Sequence, residues 1–431
     1  MGNLREKSEK KIHILENIHE FSEYEREKKL KWISRRINQC IKLANNKSSF
    51  YKQMYKAINL DDFEFETNWD MIPYIDSAIL EKQPLESRMV ATMDEVLRYH
   101  EGILESKTLL YSEDNWFEEN ITLACNLLKF CAKGDIAAIS LPYELVALAQ
   151  AYDRAFELIG VPIISCGIQN ENCSWQRLLE ILIKCKISVL VCSFTRALLI
   201  ANEVEEAGLD IKKTLFLKKI ILTGEMNNDE KRKKIHQIYG CNVISVTTIE
   251  GVGIVSASTG KEECIFENMY YAEIADPVIE ESEQVRGELV ITSLCNNVAP
   301  LIKYKTGILA QLCQKDDGVE IKYIGEIVKQ QSSNQKVYWD SIAVELERAI
   351  LKSDAYGLLY RIVFNNDCIT VYSDIKNGYS LEDLSKQIKE NISQVVHNKI
   401  KVLEIHKFER EKYLELLKNS IRPSCEKIVY E

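Results

Sequence analysis

The chain has 431 residues, of which 46% are hydrophobic and 28% charged, values of an ordinary globular protein that exclude disorder and low complexity for most of its length. At about 150 residues per domain it holds roughly three core-sized units, or a large two-lobed domain with a smaller one. Glycine (17) and proline (7) are scarce, which disfavours a turn-dense all-β sandwich, and a formal net charge of −10 argues against nucleic-acid binding by bulk electrostatics.

The opening residues Met1-Gly2-Asn3-Leu4-Arg5 lead into a charged helical pattern with no apolar signal core. No stretch approaches the roughly 18 apolar residues of a membrane span. Thirteen cysteines are scattered along the chain with no Cys-x-x-Cys pair. They read as reduced, buried thiols, and a cytoplasmic location is expected.

Residues 1–57 read as helices, with Trp32, Ile33, Ile37 and Ile41 at helical spacing. The run Asn45-Asn46-Lys47-Ser48-Ser49 breaks the pattern, and a short helix starts at Phe50-Tyr51. A connector over 69–76 starts another helix, with Asp76 or Ser77 as its cap. From about 90 to 310 strands and helices alternate. Strands are expected over 137–141, 161–166, 187–192, 217–224 and 242–246. Helices are expected over 143–159, 175–184, 195–207 and 228–239. Continuously apolar strands separated by helices predict a parallel sheet covered on both faces. After about 265 the strands 270–274, 287–292 and 302–305 alternate in the manner of antiparallel pairing. The polar run Lys329-Gln330-Gln331-Ser332-Ser333-Asn334-Gln335-Lys336 marks a boundary. Residues 1–327 are expected to form a large domain, helical over 1–90, and 328–431 a small α+β domain ending in a helical tail.

Four segments carry a family resemblance. They are Ser49-Phe50-Tyr51-Lys52 with Ile72-Pro73-Tyr74; Ile221-Leu222-Thr223-Gly224-Glu225; Arg286-Gly287-Glu288-Leu289-Val290-Ile291-Thr292; and, the most specific, Pro300-Leu301-Ile302-Lys303-Tyr304-Lys305-Thr306-Gly307. In this order, over nearly the whole chain, they resemble the phenylacetate–CoA ligase branch of the adenylate-forming enzymes. The resemblance implies an α/β fold: a large N-terminal domain with parallel and antiparallel sheets and a small mobile α+β C-terminal domain. It implies that a small-molecule carboxylic acid, aryl or fatty, attacks the α-phosphate of ATP. The resulting acyl-adenylate passes to a thiol or amine, with Mg²⁺ as cofactor and CoA or a carrier-protein phosphopantetheine as acceptor. A carrier protein or biosynthetic partner, and a homodimer, are left open.

The resemblance carries over residue by residue with departures. The phosphate loop T-S-G-T-T-G-x-P falls on His100-Glu101-Gly102-Ile103-Leu104-Glu105-Ser106-Lys107, where Gly102 alone matches and Glu101 and Glu105 add negative charge. Thr223, Gly224 and Glu225 form the turn beside the nucleotide. The adenine and Mg²⁺ motif falls on Val246-Thr247-Thr248-Ile249-Glu250, which assigns Thr247 and Thr248 to the nucleotide and Glu250 to the metal and to catalysis. Tyr304 and Lys305 are nucleotide-binding positions, but Ile308 stands where the ribose carboxylate belongs, and Glu326 where an arginine belongs. Pro423-Ser424-Cys425-Glu426-Lys427 resembles the tail that places the adenylation lysine, here Lys427. Each position has a plainer reading: Glu250 as a helix-start carboxylate, Lys107 as a loop lysine, Lys427 as surface. His100 is a pocket candidate, and Cys264 lacks the companions of a zinc site. The alternative function is a homologue that no longer adenylates and serves as an acyl-binding or partner protein.

Overall fold

Local sequence signals set the helix boundaries of this computed structural model, which describes the chain apart from residues 1, 103–106, 169–171, 259–261, 280–283, 330–335, 338, 366–367, 393–399, 401, 408–409, 420–426 and 431. The described chain divides into two compact units. The first comprises Met1–Gly134, Pro142–Ile163 and Val246–Lys322; the second comprises Asp135–Leu141, Ile164–Ser245 and Tyr323–Glu431.

In the first unit the helix Arg26–Lys47 buries Trp32, Ile33, Ile37, Cys40, Ile41 and Ala44, the stripe expected of one helical face. It stops at Ser48, whose hydroxyl accepts the Tyr51 N–H and so caps the next helix, Ser49–Met54. Asp76 caps Ser77–Leu80 in the same way through the Ile79 N–H. The helix expected over 143–159 is shorter, Leu148–Leu158. Leu145 has a φ of 59°, which a helix does not admit. Gln150 Nε2 instead donates to the Tyr143 carbonyl at 3.2 Å.

Three long strands of this unit, Tyr270–Ile279, Gln284–Ser293 and Tyr304–Gln314, pair antiparallel in sequence order. They extend well beyond the expected 270–274, 287–292 and 302–305, because alternate burial continues through polar residues (Thr306 buried, Gly307 half-buried). The connector through Ile75 is pinned to the third strand: Ile75 N–H donates to the Lys303 carbonyl at 3.0 Å, and Lys305 N–H to the Ile75 carbonyl at 2.7 Å.

In the second unit Ala137–Ser140, Val189–Cys192, Lys219–Leu222 and the start of Asn242–Ile249 pair in parallel, with Ala137 opposite Val189, Val189 opposite Lys219 and Lys219 opposite Asn242. Every residue of the first two is buried, as a sheet covered on both faces requires. The helices Trp175–Lys184, Phe194–Glu206 and Asp229–Tyr239 alternate with them. A second, four-stranded sheet has the order Val402–Lys407, Cys368–Ile375, Tyr356–Asn365, Ile428–Tyr430. One hydrophobic core runs from Leu190, Leu198 and Ile220 to Leu346, Ile350 and Ile362. The expected helical tail is present as Arg410–Asn419 but is not the end: Ile428–Tyr430 is a strand, parallel to Ile362–Phe364. Its β-branched and aromatic residues suit that role. Among the described residues no helix is long and apolar enough to cross a membrane.

Candidate functional site

In the second unit Thr223 leaves the strand Lys219–Leu222 with its side chain fully buried and its N–H on the Cys192 carbonyl at 3.1 Å. Gly224 follows at φ 76°, a left-handed turn that glycine takes without strain. The turn delivers Glu225 to the start of the helix Phe194–Glu206, where Oε1 accepts the Thr195 N–H at 3.0 Å. A carboxylate there also meets the positive end of the helix dipole. Oε2 of Glu225 lies 3.0 Å from Lys427 Nζ.

Lys427 is only 4% exposed. It immediately precedes the strand Ile428–Tyr430, and its carbonyl accepts the Ile362 N–H at 2.7 Å, which fixes its place. Its ammonium lies 3.9 Å from Glu347 Oε1, and Glu347 Oε2 lies 3.0 Å from Lys231 Nζ. Tyr360 donates its hydroxyl to Glu347, and Lys231 also donates to the Met226 carbonyl at 2.8 Å. The Phe194 ring faces both ammonium groups, at 4.8 Å from Lys427 and 5.4 Å from Lys231. Two carboxylates and two ammonium groups thus form a buried network of zero net charge. Burial by itself would raise the Glu225 pKa; the charges of Lys427 and Lys231 outweigh it and hold the carboxyl down at about 2.

Glu225 and Lys427 were expected from motifs, whereas Lys231 and Glu347 lie in none. The usable signal was their position on an apolar stripe. Lys231 shares a helix face with the buried Ile235 and Tyr239, and Glu347 with Ala343, Leu346 and Ile350. A charge at such a position needs a partner.

In the first unit three predicted segments meet Lys107. A Cβ on Gly102 would overlap the Lys107 side chain and stand 2.8 Å from its carbonyl oxygen; one on Gly251 would stand 3.0 Å from its Cα. Lys107 Nζ donates to the Tyr304 hydroxyl at 3.3 Å. Glu250 occupies the turn between the strands Asn242–Ile249 and Gly253–Ser258, half-buried. The Thr247 hydroxyl is buried without a hydrogen-bond partner, and Thr248 pairs with Ile254 in the ladder. Lys305 points elsewhere: its ammonium lies 3.6 Å from Glu288 and over the Tyr74 ring at 4.9 Å. Ile308, which stands where the resemblance puts the ribose carboxylate, offers no acceptor from its side chain. His100 is buried against Tyr111 and Trp116, with no partner for Nε2, and burial, aided by the Arg98 charge, depresses its pKa to about 4.

Glu119 is a further charged residue on an apolar stripe, between Trp116 and Leu123 of the helix Glu113–Leu127. It is fully enclosed, with the Tyr111 hydroxyl donating to Oε2 at 2.9 Å, and burial raises its pKa from 4.5 to about 7. A raised carboxyl pKa favours the folded state fully below 4.5 and loses that contribution as pH rises towards 7. Urea unfolding at pH 4 and pH 8 should therefore show the wild type losing about 3 kcal/mol that Glu119→Gln does not lose. Parallel pH profiles for the two proteins would remove the assignment.

No family model matches the chain. Over 290 residues it is 26% identical to phenylacetate-coenzyme A ligase of Pseudomonas putida, a match that takes in 62% of this chain and 64% of that protein, just under two thirds of the relative's length. Among solved structures, a 2-hydroxyisobutyryl-CoA ligase in the postadenylation state, in complex with 2-HIB-AMP, superposes with a TM-score of 0.71 at 16% identity, over 88% of this chain and 86% of that one. An acyl acid amido synthetase in complex with 2,4-DB gives 0.65 at 12% identity, over 98% and 94%. The chain is thus similar in sequence to phenylacetate-coenzyme A ligase over 62% of its length and shares the fold of the 2-hydroxyisobutyryl-CoA ligase.

Proposed function

We propose that this protein uses ATP to activate an aryl or fatty carboxylic acid as an acyl-adenylate and passes the acyl group to a thiol or amine. The acceptor would be CoA or a carrier-protein phosphopantetheine. The observation that carries this reading is the Thr247–Glu250 segment: a buried hydroxyl without a partner, three residues from a half-buried carboxylate, at the motif where the resemblance puts the nucleotide and Mg²⁺. An orphaned buried hydroxyl is costly unless a ligand completes it. The residues fit the phosphate and metal end of such a ligand and not the ribose end, where Ile308 supplies no carboxylate.

In this reading ATP supplies the leaving pyrophosphate, and Glu250 is the residue that would hold Mg²⁺, which would offset the charge of the phosphates. Thr247 donates to a nucleotide oxygen, with Thr248, Gly102 and Tyr304 of the same unit as further nucleotide contacts, while Lys305, engaged by Glu288, takes no part. Lys427 is the adenylation lysine and acts by exchanging Glu225 for the anion of the reacting acid. The second reading, a homologue that binds an acyl group without adenylating it, draws support from Ile308 and from the engagement of Lys427 with two carboxylates.

Thermal melting with ATP and Mg²⁺ separates the two. A ligand at 100 times its dissociation constant stabilises by roughly 2.7 kcal/mol. A clear rise in melting temperature at millimolar ATP, followed by pyrophosphate release with one member of an aryl and fatty acid panel, is the expected result. An unchanged melting curve would select the second reading.

A further inference from the structure

We infer that Lys234 is a site of covalent acylation, its side-chain amine taking the acyl group of an acyl phosphate whose phosphate is held by Lys376. The inference concerns the second unit alone and does not depend on ATP use by this protein. Lys234 lies on the helix Asp229–Tyr239, one turn beyond Lys231. Lys231 is enclosed and ion-paired to Glu347, whereas Lys234 is half-buried. Its ammonium faces the Tyr356 ring at 4.3 Å, and among the described residues it makes no hydrogen bond and no ion pair.

The carboxylates whose field reaches this ammonium are committed or solvated. Asp374 Oδ2 takes the Leu359 N–H at 3.1 Å and the Arg410 guanidinium at 3.0 Å, while Asp354 and Glu205 are exposed. Lys376, also exposed, sets a second positive charge against the first. Burial is the larger influence and Lys376 the next, and they bring the Lys234 pKa down to about 8. A lysine desolvated beside another cation is an activated nucleophile, because far more of it stands as free amine at neutral pH.

The same arrangement selects the donor. Among the described residues Lys376 forms no ion pair, so its ammonium is available to a phosphate oxygen. The free amine of Lys234 adds to the acyl carbonyl carbon. The bond from that carbon to the bridging oxygen then breaks, and phosphate departs with the electron pair and takes up the proton that the nitrogen sheds. The products are an amide on Lys234 and inorganic phosphate, with no change in oxidation state. A neutral amide suits a half-buried position against a tyrosine ring better than the ammonium it replaces.

The test treats the full chain with acetyl phosphate at neutral pH and follows acetylation of each lysine by peptide mass spectrometry. Lys213 and Lys218, with side chains 84% and 68% exposed, are the references in the same unit. Lys234 should react about tenfold faster than either, since its larger share of free amine outweighs its lower basicity and partial burial. In urea the three should react alike, because burial and the neighbouring charge are gone. Lys376→Gln, a change at an exposed position, should slow Lys234 several-fold and leave the references as they were. Lys234 reacting no faster than the references in the folded chain overturns the inference, as does a preference that survives in urea. A preference that Lys376→Gln leaves untouched overturns the role of Lys376 and with it the choice of an acyl phosphate as donor.

Discussion

Lys427→Met should lower the unfolding free energy by about 3–5 kcal/mol, the usual loss when one partner of a buried ion pair is removed. The substitution leaves Glu225 enclosed with the Thr195 N–H and without its nearest cation, and takes a positive charge from beside Glu347. Adding Glu225→Gln to the same chain should restore part of the loss, because the orphaned charge goes with it. The pH profile gives an independent reading. In the wild type the Glu225 contribution is present above the unfolded carboxyl pKa of 4.5 and is lost as pH falls towards about 2. In Lys427→Met that acid limb should flatten. A loss below 1 kcal/mol in urea titration, with the acid limb unchanged, would show that the network is solvated and contributes little. The outcome also governs how activity data are read. Turnover lost in Lys427→Met reflects chemistry only if the variant still melts cooperatively at the assay temperature.

Gly253→Ala is the second large effect, expected at about 3–5 kcal/mol from backbone strain and a displaced buried hydrogen bond together. Gly253 has a φ of 117°, and a Cβ there would stand 2.7 Å from Glu119 Oε2, 2.8 Å from the Tyr270 hydroxyl and 3.3 Å from the Tyr111 hydroxyl. The Tyr270 hydroxyl donates to the Val252 carbonyl at 2.9 Å, and Glu119 takes the Tyr111 proton, so nothing here yields cheaply. Gly307→Ala is the matched control. Its φ is 75° with nothing within 4 Å of a Cβ, so it should lose only about 1–2 kcal/mol for a left-handed alanine. Equal losses for the two would mean that the cluster of Glu119, Tyr111 and Tyr270 relaxes around the methyl group, and the close approach would carry no energetic weight.

Both effects come from charged or polar groups placed where an apolar residue was due. Lys231, Glu347 and Glu119 each occupy an interior stripe of a helix, and that much is visible in the chain itself. What the pattern could not supply was the partner. Lys231 meets a glutamate more than a hundred residues away, and Lys427 meets Glu225 at a separation of 202. Such pairs depend on how strands are ordered, and helical or strand periodicity carries no information about order.

Element types were legible for a local reason: the apolar period differs between helix and strand, and caps such as Ser48, Asp76 and Asn228 bind their own first turn. The parallel and antiparallel halves were legible too, since continuous and alternating burial leave different traces. Boundaries were not where the backbone departs from its local preference, as at Leu145, or where a strand is recruited from the tail, as at Ile428–Tyr430. By itself, then, the amino-acid order determined the kinds of element, their succession and the motif positions, because these depend on neighbours within a few turns. Tertiary structure alone decided that Lys427 is enclosed against Glu225 and that Lys107 gathers Gly102, Gly251 and Tyr304, because charge and packing across hundreds of residues act only once the chain has closed.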